Sequence, residues 1–407
     1  MRIVYVSTTY PPDNGWGGIG TYVYTMAQQL HAMGHEPLVI SAAAPGAAAA
    51  AGIERGVAVL RVLTASDDAG VREQVRGQLE RLLASDGFDI VEFPEFGAPG
   101  LDFQHAHPEI PTVVRLHSDA ELCALAEADG VRRAALRVRA AFGFSAAHRQ
   151  ASLERASVRL AHAVSSPSKW TLAQARRRGW LGPTAHAAVI PNPYLDPDPA
   201  GDAGPCATSD EVSPTLLLFG RLARLKGAEL IPRIVSQVHA MRPDLPVRIV
   251  GQSGLRRSAM PARRAVDYRE WIVSRLPVGS RARVEFLGGV PHDTIASVMP
   301  ADGIACFFSV FEAQGYTHME AMHHGLATVI ASGGGARELG THERDVLLCR
   351  RRSADIAAAV LKLADDAPLR RRIADAGRRR VAEAYGAASI ANAMLGLYVS
   401  TVASAQP

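Results

Sequence analysis

The chain has 407 residues, 48% hydrophobic and 21% charged, with 44 Lys or Arg against 40 Asp or Glu for a formal charge of +4. This length suits two domains of ordinary size, and the composition is that of a soluble globular protein rather than a disordered one. The charge is too small, and the Arg runs at 350–352, 370–372 and 378–380 too free of interleaved aromatics, for a nucleic-acid partner; the runs read as solvated faces.

Four cysteines (Cys123, Cys206, Cys306, Cys349) lie far apart and form no CxxC or Cys/His metal pattern, which fits a reducing compartment. The amino terminus enters a strand at once, MRIVYVS, and no stretch approaches the roughly 18 apolar residues that span a membrane. A cytoplasmic protein without stable membrane insertion is expected.

Arg2–Ser7 reads as a short apolar strand ending in the turn-rich loop TTYPPDNGWGGIG. A helix with apolar periodicity follows from Thr21 to about Met33, closed by Gly34, and Pro37–Ser41 is the next strand. Strand, glycine loop, helix and strand in this order open a doubly wound α/β domain. Gly17, Gly18 and Gly20 allow close backbone approach to a ligand, with a flexible turn as the alternative. The loop is not G-x-G-x-x-G and no acidic residue stands where a ribose needs one, which argues against a nicotinamide site.

Residues 42–52, AAAPGAAAAAG, read as a surface connection without chemistry. A helix from about Gly70 to Ser85 precedes strand Ile90–Phe93, and strand Thr112–Leu116 runs into His117-Ser-Asp119. A histidine at the carboxyl end of a strand in an open α/β sheet stands where ligands bind, although a lone histidine is more often structural. Residues 119–160 read as a solvated helical hairpin rich in Ala and Arg, without the large apolar face of a membrane-surface helix. Ala163–Ser166 is a strand and Ser168-Lys169-Trp170 starts another helix. Residues 196–212 keep no apolar period and are rich in Pro, Gly, Asp and Ser, so they form a linker between a domain at 1–195 and one at 213–385. Asp196-Pro-Asp198 matches a metal-binding DxD only by accident of that linker, and no metal site is expected.

The second half opens like the first, with strand Thr215–Phe219 followed by Gly220-Arg221-Leu-Ala-Arg224-Leu-Lys226-Gly227 and a helix. Arg221 offers a bidentate fork and Lys226 a point charge, a pair able to neutralise a diphosphate; each charge-assisted contact is worth roughly 1.5–3 kcal/mol. Lys169, Lys226 and Lys362 are the only lysines, a hint that the compact ammonium of Lys226 matters, although a solvated basic loop is the alternative. Strand Val247–Val250 ends at Gly251-Gln-Ser-Gly254, and Arg256, Arg257, Arg263 and Arg264 belong to an insertion without a readable role. Strand Val284–Leu287 leads to Gly288-Gly289.

The apolar run Ala305–Val310 reads as a buried strand, followed by a loop with Glu312 and Gly315 and a helical stretch from about Thr317 to His324. Glu312 and Glu320 are separated by seven residues. Between them the N–H groups of Gly315, Tyr316 and Thr317 lie at a helix N-terminus, a natural place for a phosphate. A phosphate cradle flanked by two carboxylates suits a sugar nucleotide, whose hydroxyls donate to them. The same letters, Thr317-His-Met-Glu320, fit a capping box in which Glu320 merely holds the Thr317 N–H. Helices fill 353–385, and a last one, about Ala387–Val402, is apolar along one side.

The Glu312–Glu320 segment resembles the Glu-x7-Glu motif of retaining family-4 glycosyltransferases, and the Gly220–Gly227 loop resembles that family's G-R-x-x-x-x-K-G signature. The glycine loop and His117 stand in family order and spacing. Gln314, Tyr316 and Thr317 replace the usual aromatic before the glycine and Leu-Pro or Leu-Val after it, which points to an atypical donor-sugar pocket. The resemblance implies an α/β GT-B fold: two Rossmann-like doubly wound domains facing a cleft, with a terminal helix at 386–407 crossing back to the first. It implies a retaining, metal-independent hexosyltransferase that needs no cofactor and takes a nucleoside diphosphate sugar as co-substrate, UDP-sugar ahead of GDP-sugar. Gly17 and Gly18 would close over the donor phosphate and Gly254 would approach the nucleoside. Arg221 and Lys226 would stabilise the departing diphosphate, where charge develops. Glu320 would hold the ribose hydroxyls, Glu312 and the 315–317 amides the sugar and phosphates, and His117 would orient the sugar or acceptor or help shuttle its proton.

Glu92, Glu95, Asp119 and Glu121 fall at or just beyond strand ends of the first domain, which suggests a small cationic acceptor such as an aminocyclitol of an antibiotic or other natural-product pathway. The competing readings are a lipid or glycan acceptor, an epimerase or phosphorylase on the same fold, and a non-catalytic sugar-nucleotide-binding subunit. Donor and acceptor are the expected partners, with the chain a monomer or homodimer.

Overall fold

The computed structural model describes residues 1–12, 16–44, 46–141, 145–182, 186–195, 214–256 and 266–405. The stretch 196–212, with Asp196-Pro-Asp198, lies outside them, as do Arg257, Arg263 and Arg264. The chain divides into two compact units, one of Met1–Ala124, Val138–Leu195 and Tyr385–Pro407, the other of Leu125–Arg137 and Asp196–Ala384.

In chain order the first part of the molecule carries β1 (Arg2–Ser7), α1 (Gly18–Ala32), β2 (Glu36–Ala42), β3 (Ala50–Glu54), β4 (Val57–Leu63), α2 (Asp68–Ala84), β5 (Ile90–Pro94), α3 (Leu101–Ala106) and β6 (Thr112–Arg115). Then come α4 (Ala120–Glu127), α5 (Gly130–Ala141), α6 (Ala146–Leu160), β7 (Ala163–Ser166), α7 (Lys169–Arg177) and β8 (His186–Val189). The strands form one sheet in the order β3-β4-β2-β1-β5-β6-β7-β8. Only β3 runs antiparallel to its neighbour. Strands β5, β6 and β7 are buried at every position, as parallel strands covered on both faces must be. The strand order reverses between β1 and β5, which opens a crevice at their carboxyl ends.

Two expectations are corrected in this unit. Residues 50–52 are not a plain surface connection but begin edge strand β3, recruited by the Val-rich β4 in a ladder from Ala50↔Arg61 to Glu54↔Val57. Residues 119–160 are three helices rather than a solvated hairpin: α6 buries Ala151, Glu154, Ser157 and Val158, and Leu125–Arg137 groups with the second unit.

The second unit carries β9 (Thr215–Phe219), α8 (Ile231–Met241), β10 (Val247–Val250), β11 (Leu255–Arg256), β12 (Val266–Asp267), α9 (Tyr268–Arg275), α10 (Val278–Arg281) and β13 (Val284–Gly288). It continues through β14 (Gly303–Phe307), α11 (Tyr316–His323), β15 (Ala327–Ile330), β16 (Leu347–Leu348), α12 (Ser353–Asp365) and α13 (Ala367–Tyr385). Its parallel sheet has the order β13-β10-β9-β14-β15-β16, reversing between β9 and β14. Leu216, Ile249, Ile304 and Val329 of the sheet pack with Ile234 of α8 and Val360 of α12 in one apolar core. Arg370 corrects the reading of its run as a solvated face. It is 3% exposed, grips Asp302 at 2.7 and 2.5 Å, and donates to the carbonyls of Leu363 and Ala364.

The last helix, α14 (Ala387–Ala405), belongs to the first unit. Its 19 uncharged residues are long and apolar enough to cross a membrane by length and composition, contrary to the expectation that no stretch is. Here Ile390, Ala391, Met394, Leu397 and Tyr398 are buried. The Tyr398 hydroxyl donates to Glu92 Oε2 at 2.6 Å and meets the Tyr5 hydroxyl at 2.9 Å.

Candidate functional site

The reversal between β9 and β14 holds a pocket lined by Gly220, Arg221, Lys226, Ser309, Glu312 and Thr317. The loops beneath it need glycine for close approach: a Cβ on Gly251, at φ +140°, would stand 2.2 Å from the Gly220 carbonyl oxygen. Arg221 is exposed at the rim. Lys226 Nζ lies 2.7 Å from Glu312 Oε1, and the Ser309 hydroxyl donates to the same oxygen at 2.6 Å.

The backbone of Glu312 is clamped on both sides. Its N–H donates to the Gly333 carbonyl at 3.0 Å and its carbonyl accepts the Gly335 N–H at 2.8 Å. Between them Gly334, at φ +81°, leaves no room for a side chain, since a Cβ would stand 2.4 Å from the Glu312 oxygen. Burial pushes the Glu312 carboxyl up, but the Lys226 ammonium, helped by the Ser309 hydroxyl, outweighs it and holds the group below the usual carboxylate range. Glu312 is therefore an anion held in place, able to accept from donor hydroxyls or to steady positive charge.

Helix α11 starts at N-cap Gly315, whose φ of +102° suits glycine, and no side chain caps it. The capping box is therefore not formed. Glu320, 7% exposed, has Oε1 3.5 Å from His292 Nε2 instead. The first turn of α11 presents its N–H groups at the helix start, as any helix does.

His318, which no pattern in the sequence marked, is wholly buried. It stacks on Phe307 with ring centroids 4.0 Å apart and approaches Ser332 Oγ through Nε2 at 3.3 Å. Burial pushes its imidazole down to about 4 against the pull of Glu312, so it underlies the site as a neutral ring. Gly254 is engaged inside the unit: its N–H donates to Leu222 and its carbonyl accepts from Tyr268, both at 3.0 Å. These bonds pack it against the Arg221–Lys226 loop.

In the first unit Gly17 is the extended N-cap of α1 and Gly18 its first residue, both exposed, with no acidic side chain in the first turn. Only Gly20 is required by packing, a Cβ there meeting the Thr9 carbonyl oxygen at 2.8 Å. His117 follows β6, half-buried, edge-on to Tyr22 at 5.8 Å, with its backbone N–H donating to Glu95 Oε1 at 2.6 Å. Burial, with Arg115 beside it, pushes the imidazole down to about 3, so the ring is neutral and offers hydrogen bonds rather than a stored proton.

The four acidic residues do not make a free anionic surface for a cationic acceptor. Glu92 is held by Tyr398, and Glu95 by the His117 amide. Arg178 reaches Asp119 at 2.6 Å and Glu121 at 2.7 Å, with His148 also on Glu121 at 3.2 Å. Among the described residues no group of three or more His, Cys, Asp or Glu could hold a metal ion.

Residues 16–194 match the family model Glycosyltransferase Family 4, and residues 207–380 match Glycosyl transferases group 1. An uncharacterized glycosyltransferase of Methanocaldococcus jannaschii is 29% identical over 45% of this chain and 44% of its own length. A phosphatidylinositol N-acetylglucosaminyltransferase subunit of Saccharomyces cerevisiae is 27% identical over 43% of this chain and 36% of its own. The chain thus spans less than half the length of these curated relatives. Sucrose-phosphate synthase of Thermosynechococcus elongatus superposes with a TM-score of 0.75 at 21% identity, covering 99% of both chains. Anabaena HepE, solved with UDP, superposes at 0.68 and 19% identity over 98% of this chain and 100% of its own. These likenesses establish the GT-B fold, two Rossmann-like α/β units with the terminal helix returned to the first.

Proposed function

We propose that this chain, which belongs to the glycosyltransferases through both of its halves, moves a hexose-type sugar from a nucleoside diphosphate sugar to an acceptor hydroxyl with retention of configuration. The observation that carries this reading is the pocket at the β9/β14 reversal, where two cations, a fixed carboxylate and a helix N-terminus meet. Arg221 and Lys226 neutralise the departing diphosphate, aided by the first-turn amides of α11, so the charge that a metal would otherwise meet is met by protein groups. Glu312 accepts hydroxyls of the donor sugar and Glu320 those of the ribose. His117, a neutral ring, orients the sugar or acceptor by hydrogen bonding.

A uridine donor is supported by the Anabaena neighbour, solved with UDP and with UDP-glucose. The acceptor class is a polyhydroxylated ring such as a cyclitol. The yeast relative is named for phosphatidylinositol, and a Corynebacterium diphtheriae relative, 28% identical over 39% of this chain and 36% of its own, for D-inositol 3-phosphate. Free thiols at Cys123, Cys306 and Cys349 support a cytoplasmic setting.

The test is thermal-shift binding of UDP, GDP and ADP without added metal, on wild type and Glu320→Ala. UDP should raise the melting temperature, and the rise should shrink in the variant. No response to any nucleotide would overturn the transferase reading.

A further inference from the structure

Two buried carboxylates in the first unit hold three loop amides. Glu154, in the middle of α6 and 0% exposed, accepts the Gly97 N–H through Oε1 and the Ala120 N–H through Oε2, each at 3.0 Å. Gly97 lies in the loop after β5, and Ala120 opens α4 three residues beyond His117. Glu95, 2% exposed, accepts the His117 N–H through Oε1 at 2.6 Å. Neither carboxylate forms an ion pair among the described residues, since Arg178 is taken by Asp119 and Glu121. Burying a carboxylate without a cation is costly, and a glutamate at a core position of a helix is explained only by what it binds.

We infer that Glu154 and Glu95 are positioning residues for His117: Glu154 ties the β5–α3 loop to the β6–α4 loop, and Glu95 fixes the backbone at His117 itself. The catalytic consequence rests on the proposed role of His117; the clamp does not. A carboxylate has two acceptor oxygens, whereas a carboxamide has one acceptor and one donor. Glu154 uses both oxygens as acceptors, so Glu154→Gln must turn an NH2 against one amide and release one loop. Glu95 meets the His117 N–H through one oxygen, an acceptor that Glu95→Gln retains. The same isosteric exchange at two neighbouring residues should therefore have unequal effects.

The clamp also needs Glu154 ionised. Burial pushes it up to about 7 against its two amides, with Asp119 and Asp68 adding to the rise. Glu95 and the Cys123 thiol, both raised by burial, Asp119 in its pair with Arg178, and the neutral His117 are the other titratable groups at the loops. A carboxyl whose folded pKa is raised loses no stability on protonation, so any loss of activity below about 7 from this group is not acid unfolding.

Amide hydrogen exchange without substrates reads the clamp directly. Glu154→Gln should lower protection at Gly97 or Ala120 and cut kcat by about 10–100-fold with donor KM unchanged. Glu95→Gln should leave protection at Gly97 and Ala120 near wild type, since those amides are held by Glu154. In wild type, protection at these amides should fall as pH drops below about 7, a readout that stands even if the variant does not fold. Wild-type protection in Glu154→Gln, or equal damage from Glu95→Gln, would overturn the inference. Absence of any wild-type turnover would count against the transferase reading alone, since the exchange result still decides the clamp.

Discussion

Lys226 Nζ and Glu312 Oε1 stand 2.7 Å apart, so the cation proposed for the diphosphate and the carboxylate proposed for the sugar are each other's partners. The pair holds two charges at the mouth of one pocket with the Glu312 backbone locked behind them.

Removing the cation should expose what the pair contributes. Lys226→Ala leaves Glu312 with the Ser309 hydroxyl alone, and because Lys226 is 32% exposed the loss should be about 1–2 kcal/mol, the lower part of the range for charged hydrogen bonds. Glu312 titrates below the usual range, so the stability it gains is present above the ordinary carboxylate pKa and disappears as pH falls through the lower folded value. Urea unfolding of both proteins at neutral pH and at about pH 3 checks this. An undiminished deficit in acid would show that the loss comes from packing.

Gly334 should tolerate no side chain. Gly334→Ala forces a Cβ against the Glu312 carbonyl at φ +81° and should cost about 1–3 kcal/mol while weakening donor turnover. Gly18→Ala, with nothing within 4 Å of the added methyl, should leave stability unchanged. Paired melting curves give the answer, and equal effects at the two sites would reject the steric account.

Anchoring of α14 should depend on one hydroxyl. Tyr398→Phe leaves buried Glu92 without its 2.6 Å donor, a loss of about 1–3 kcal/mol. Hydrogen exchange along α14 should accelerate relative to α1; unchanged exchange would show that apolar burial alone holds the helix.

The His117 ring should not titrate in the physiological range. With its imidazole pushed down to about 3, NMR of the ring protons should show no inflection between about pH 5 and 8. A midpoint near the ordinary histidine value would show the ring to be open to water and able to carry a proton.

What the sequence determined by itself is local. Parallel strands buried on both faces must be apolar runs, so MRIVYVS and TLLLF announce themselves, and the run Ala305–Val310 marks a strand that the structure places slightly earlier, at Gly303–Phe307. Arg221, Lys226, Glu312 and Thr317 could be named as one site because each lies within a few residues of a strand end, and strand ends at a sheet reversal converge. Partners were not legible. Glu92 reads as a free anion until Tyr398, 306 residues away, donates to it, and Arg370 reads as surface until Asp302, 68 residues away, grips it. Strand β3 hides in an alanine tract because pairing with β4, not side-chain pattern, makes it a strand. Glu154 and His318 look like ordinary helix residues, and only the loops and strand packed over them give them work. Whether a charge is a surface ornament or a buried strut depends on what tertiary contact removes it from water, and no window of sequence contains that information.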